Sequence, residues 1–110
     1  MKNRKFIFEH QLPWTDLGGG VSRQIAGCDK NIMLVKVKFI KGAIGAVHHH
    51  FHSQCSYVAS GSFEVEISGK KKILSTGDSF YVEPNARHGV VCLEEGVLVD
   101  TFSPAREDFL

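Results

Sequence analysis

Gly42-Ala-Ile-Gly-Ala-Val-His48-His49-His50-Phe51-His52-Ser53-Gln54, running on through Cys55-Ser-Tyr-Val-Ala-Ser to Gly61, is the stretch on which the reading of this chain turns. Histidines occupy 48, 49, 50 and 52. In extended backbone, side chains two apart share a face, so His48 and His50 can converge on one point. Gln54 has the same parity and reaches that point if the chain turns in between. Neutral imidazole is the commonest protein metal ligand, and an amide oxygen can complete such a site. The competing reading is a run of solvated histidines or a tag remnant. The cluster is interior and Phe51 interrupts it, which disfavours a tag. His49 and Phe51, of opposite parity, are expected to point away from an ion.

Around this stretch the chain reads as many short strands. Ile32–Ile40 opens with an apolar run and then alternates Val35, Val37 and Phe39 against Lys36 and Lys38. Residues 5–9 and Val21–Ala26 precede it, separated by Pro13-Trp14-Thr-Asp-Leu17 and Gly18-Gly19-Gly20, where no regular pattern is expected. No Gly-Lys-Ser/Thr follows the glycine triplet, so it reads as a turn and not as a phosphate loop. Tyr57–Ser60, Phe63–Ile67, Lys72–Leu74, Phe80–Glu83, His88–Leu93 and Val97–Phe102 follow at short, even intervals. No segment before the tail carries a helical period. Regular short strands with turn signals between them predict an all-β antiparallel barrel or sandwich. The 110 residues suit one domain (1–110), with a barrel core over about 21–103, an N-terminal arm 1–20 and a tail 104–110.

Composition excludes several classes. The net charge of +1 carries no basic footprint for nucleic acid. Lys70-Lys71-Lys72 follows Ser68-Gly69 and reads as a solvated hairpin. No apolar run approaches the roughly 20 residues of a membrane span, and Phe6-Ile7-Phe8 is too short for a signal peptide. Cys28, Cys55 and Cys92 are odd in number and form no Cys-x-x-Cys, so neither a disulfide framework nor a zinc ribbon is expected. A reduced, cytoplasmic compartment is the expectation.

A second motif, Gly77-Asp78-Ser-Phe-Tyr-Val-Glu83-Pro84-Asn85-Ala-Arg87-His88, places a further imidazole far along the chain. Proline presets φ and asparagine tolerates positive φ, so Pro84-Asn85 suits a turn that returns His88 to the fold. Gly42-x5-His48-x-His50-x3-Gln54-x6-Gly61 followed by Gly77-x10-His88 resembles the paired motifs of the cupins, small double-stranded β-helix (jelly-roll) barrels with a metal in the mouth. The resemblance implies one divalent transition metal (Ni, Zn, Fe or Mn) held by His48, His50, Gln54 and His88. Gln54 stands where most cupins carry Glu, and Glu83, Asn85 and Cys92 stand where Pro, Gly and Asn are usual. Three imidazoles and an amide leave the ion's +2 charge uncompensated, which favours an anionic ligand. They also lack the 2-His-1-carboxylate set of many non-haem iron oxygenases.

Pro13-Trp14, Gly18-Gly-Gly-Val-x-Arg23, Lys41-Gly-Ala-Ile-Gly-Ala, Cys92-Leu-Glu-Glu-Gly-Val and Asp100-Thr-Phe102-Ser-Pro-Ala-Arg106 resemble the pectin-degradation (KdgF-type) cupins. That subgroup opens the ring of 4,5-unsaturated uronates to linear 4-deoxy-5-keto forms. By the resemblance Asp100, Phe102 and Arg106 are catalytic, the partner is a small anionic sugar, and the assembly is a homodimer. Read without it, Asp100 is a rim carboxylate, Phe102 core, and Arg106 a tail residue paired with Glu107 or Asp108. His52, Tyr81 and Arg87 are weaker pocket candidates, and Cys92 has no assigned role. A non-catalytic metal- or sugar-binding module and a metal-dependent oxygenase stand as alternatives.

Overall fold

The computed structural model describes residues 5–110. Its strands are β1 (Thr15–Gly18), β2 (Val21–Cys28), β3 (Met33–Phe39), β4 (Ile44–His48), β5 (Ser53–Ile67), β6 (Lys70–Ser75), β7 (Ser79–Val82) and β8 (His88–Ser103). All pairings are antiparallel, in the order β1-β2-β3-β8-β5-β6, with β4 on β8 and β7 on β5. The fold is all-β, as the spacing of strands and turns predicts. Among the described residues no helix is long and apolar enough to cross a membrane.

Two long strands form the spine. β5 and β8 pair from Ser53↔Ser103 to Ile67↔His88. The sequence predicts each as two short strands, broken at Gly61 and between Leu93 and Val97. The chain instead runs through both interruptions, with register shifts between Val58 and Phe63. The cause is a backbone crossing that only glycine permits. A Cβ on Gly96 would meet the Ser60 carbonyl oxygen at 2.0 Å, and one on Gly61 would meet the Glu94 and Glu95 carbonyls at 2.5 Å. Gly61 also has φ +83°, which side-chain-bearing residues rarely adopt. Backbone cannot yield as a rotamer can, so Gly96→Ala is expected to cost about 2–3 kcal/mol or more. Denaturant unfolding checks this; a change within about 0.5 kcal/mol would show that the crossing is looser than drawn.

Two further expectations are corrected. Residues 5–9 form no strand; a short 3₁₀ turn occupies Glu9–Gln11. Gln24 holds that region in place, its buried amide donating to the Glu9 and Leu12 carbonyls at 3.0 and 3.2 Å. Thr15–Gly18, where no regular structure was expected, is an edge strand on β2, with Thr15 opposite Arg23. Its pattern carries no alternation because all four of its residues are exposed. Gly18, Gly19 and Gly20, all at positive φ, make the turn into β2. Pro84-Asn85 turns as predicted, with Asn85 at φ 68°.

Cross-strand register builds the interior. On β5 and β8 the rows Gln54–Phe102, Ser56–Asp100 and Val58–Leu98 lie opposite one another, and alternate residues of a strand share a face. Val58 and Leu98 belong to an apolar cluster with Phe39, Phe63 and Val82. Phe102 belongs to a second, with Met33, Val35 and Ala105. Ser56 and Asp100 interrupt these apolar rows, and polar groups so enclosed need partners.

Candidate metal centre

His48, at the end of β4, lies opposite His88, at the start of β8. Their ring centroids are 4.4 Å apart, and His50 stands 4.9 Å from His88 and 5.7 Å from His48. One nitrogen from each falls within 4.8 Å of the other two. His50 lies beyond β4 in irregular chain, so the bend over 49–52, more than strand parity, brings it in. The same bend returns Gln54 on β5. His49 and Phe51 are exposed and line a neighbouring pocket that His50 also borders.

The hydrogen bonds assign the tautomers. Nδ1 of His48 lies 2.8 Å from the Ala46 carbonyl, Nδ1 of His50 3.0 Å from that of His52, and Nδ1 of His88 2.9 Å from that of Ala86. A carbonyl only accepts, so each Nδ1 carries the proton and each Nε2 presents a lone pair. Backbone acceptors behind metal-ligating imidazoles do this same work elsewhere. Burial pulls the basicity of His88 down to about 4 and lowers that of His50, which keeps both rings neutral.

Gln54 supplies the decisive geometry. Its Nε2 donates to Ser56 Oγ at 2.9 Å, and Ser56 Oγ donates to Asp100 Oδ1 at 2.6 Å. With Asp100 ionised, this chain runs in one direction only and turns the Gln54 oxygen toward His50. That oxygen lies 2.9 Å from His50 Nε2. Two lone pairs then face each other, an arrangement that a shared cation satisfies; adjacent ligands on bonds of about 2.1 Å are about 3 Å apart. His88 Nε2 is buried without a hydrogen-bond partner, a second sign that these groups suit a cation. The residues fit a divalent transition metal on three imidazoles and one amide oxygen. Glu at 54 would set two carboxylates competing for the single Ser56 proton.

Asp100 lines the cavity of about 140 Å³ that also holds His48, Gln54 and His88. Burial pushes its pKa up to about 6, against the opposing pull of the Ser56 hydroxyl and the Arg106 charge. Phe102 is 3% exposed; its ring meets His50 edge-on at 5.6 Å, so it braces that imidazole as well as lining the cavity. Arg106 lines the cavity and pairs through Nε and Nη2 with Asp108, at 3.0 and 2.8 Å. The tail pairing weighed from the sequence is therefore present, and the tail itself is cavity wall: Ala105 and Arg106 are buried and Phe109 lines the same space. Tyr81 and Arg87 lie on exposed positions outside this cavity, and His52 faces the neighbouring pocket. Cys92 packs in the core, its thiol 3.0 Å from the Glu94 carbonyl.

A family model for the cupin domain matches residues 35–102. This chain belongs to the cupin family. Within it, the cupin is 52% identical over 109 residues to the pectin degradation protein KdgF of Dickeya dadantii (strain 3937), spanning 97% of this chain and 99% of that protein. It is therefore a KdgF homologue. An RmlC-like cupin from Shewanella frigidimarina NCIMB 400 superposes with a TM-score of 0.95 at 51% identity, covering 97% of this chain and 96% of that one. KdgF from Halomonas sp. superposes at 0.93 with 41% identity, covering 97% and 99%. The three-histidine group and the jelly-roll barrel are thus those of a cupin.

The sequence reading assigns no site role to two cavity residues, Arg23 and Phe109, or to Ser56, which bridges Gln54 and Asp100. Ser56 sits at inward parity between Gln54 and Val58, Arg23 between Val21 and Ile25, and Phe109 in the tail. A polar residue at an apolar-parity position is the signal for the first two. Phe109 carries none.

Proposed function

We propose that this cupin opens the ring of 4,5-unsaturated uronate monosaccharides, giving linear 4-deoxy-5-keto uronates in pectin or alginate breakdown. The observation that carries this reading is the hydrogen-bonded path from the Gln54 amide through Ser56 to Asp100 in a KdgF homologue. A carboxylate so linked to the candidate metal ligands suits proton transfer, which simple binding or storage does not need.

The reaction is an isomerisation. The anomeric hydroxyl loses a proton, the ring C1–O bond breaks to leave an aldehyde, and the released enolate becomes a ketone as C4 gains a proton. No atom is gained or lost overall. A divalent ion on His48, His50, Gln54 and His88 supplies Lewis-acid stabilisation of charge on a substrate oxygen. Asp100, with a pKa near 6, is basic enough to take a proton and acidic enough to return one. Ser56 keeps that carboxylate oriented, Phe102 holds His50 and offers an apolar surface to the sugar, and Arg106 contributes a fixed positive charge. The same reading makes the protein a cytoplasmic homodimer. Three cysteines, odd in number and without a Cys-x-x-Cys, suit a reducing compartment, and the exposed Ile44, Val47 and Ile73 provide apolar surface for a partner copy.

Proton NMR of an unsaturated uronate tests the proposal. With metal-loaded protein the anomeric and vinyl ring signals should decay far faster than without it, and the linear product should accumulate. Equal decay rates would overturn it.

A further inference from the structure

Arg23 holds a second guanidinium in the cavity, and the fold builds its position. On β2 it lies opposite Val37 of β3, which lies opposite Leu98 of β8. All three line the cavity, and Asp100 follows two residues along β8 on the same face. The guanidinium carbon sits 3.9 Å from the centroid of the Phe109 ring, and that of Arg106 sits 4.2 Å from the same centroid. The two cations are therefore no more than about 8 Å apart, and one aromatic ring holds both.

Their donors differ. The Arg106 fork is engaged bidentately by Asp108, so one positive charge is balanced within the tail. The Arg23 guanidinium makes no hydrogen bond or ion pair among the described residues, and a partly desolvated guanidinium without an acceptor is unfavourable. Burial and the neighbouring Arg106 lower its proton affinity against the weaker opposing pull of Asp108, and an arginine stays charged at neutral pH. Its planar fork matches a carboxylate.

We infer that Arg23, steadied by the Phe109 ring, forms the subsite that binds the substrate's carboxylate, while Arg106 is held by Asp108 as cavity wall. This rests on the uronate reading of the site and names the group that recognises the anion.

The test uses metal-loaded protein, a saturated uronate and its neutral methyl ester, with affinities by calorimetry. Arg23→Gln should weaken the acid by about 10–100-fold, as loss of a charge-assisted bidentate pair does, and move the ester by less than about 3-fold. Arg23→Lys keeps the charge without the fork and should fall between. In turnover, KM should rise more than kcat falls. Equal weakening of acid and ester would make Arg23 a prop for Phe109 and overturn the subsite, as would no change in either. Should the Gln variant fold poorly, the Arg23 Nε–H signal of the unaltered protein decides: it should shift with the acid and not with the ester, and an unmoved signal overturns the inference. A protein that discriminates acid from ester through Arg23 yet opens no unsaturated uronate keeps the subsite and loses the ring-opening reading. Ring opening with Arg23 variants that bind both ligands normally does the reverse.

Discussion

Asp100→Asn is expected to lower turnover of an unsaturated uronate by about 10²–10⁴-fold while the protein still binds a divalent ion, because on the proposed mechanism it deletes the proton-transfer group and leaves the four candidate ligands in place. The carboxyl's stability effect has the opposite sign. Its folded pKa is about 6 against an ordinary 3.8, so between those values the folded, metal-free protein binds more protons than the unfolded chain. Stability therefore falls as pH rises from about 4 to 6 and stays reduced above. The full gap corresponds to about 3 kcal/mol. Asparagine carries no charge and can still accept from Ser56. Metal-free Asp100→Asn should thus be about 1–3 kcal/mol more stable than the parent at pH 8, the advantage vanishing below pH 4. Stopped-flow assays and urea unfolding at the two pH values measure both. Undiminished turnover would remove Asp100 from the chemistry, and a pH-independent difference would remove its buried charge as the cause.

His88→Leu is expected to abolish metal binding at concentrations that saturate the parent. Outer-shell partners cost about 10–100-fold in affinity, and a direct ligand costs more. The readout is thermal. An ion present at 100 times its Kd adds about 2.7 kcal/mol to the parent's stability, and the variant should gain almost none. Without metal the variant should hold its own. The parent keeps His88 Nε2 buried and unpartnered, which costs about 1–3 kcal/mol, and leucine removes that atom at the loss of the Ala86 bond. Calorimetric melting with and without nickel or zinc separates the two effects. An undiminished metal-induced rise in Tm would place the ion elsewhere.

Much of this was legible in the sequence because it is local. Alternation in 32–40 announces a strand, Pro84-Asn85 a turn, strand parity groups His48, His50 and Gln54, and the resemblance to the cupin motifs adds His88 to them as candidate ligands. The errors are equally local in origin. Residues 5–9 look strand-like through Phe6, Ile7 and Phe8, yet what holds that region is the buried Gln24 amide, some 12 to 15 residues away. Gly61 and Gly96 look like strand breaks from sequence; in the fold they let two continuous strands cross.

What the sequence determined by itself was a set of imidazoles and an amide strung on short β segments whose spacing predicts an all-β barrel or sandwich; the cupin resemblance chose the barrel and singled out the Asp100 carboxylate. Tertiary structure decided how those groups act on one another. Ser56 and Asp100 are 44 residues apart and became hydrogen-bonded partners only through the β5–β8 register. Arg23 and Arg106 met on one Phe109 ring because the tail folds back over the cavity. A carboxylate's pKa, a tautomer and an arginine's free donors depend on distance and desolvation, which arise from contacts between residues remote in sequence.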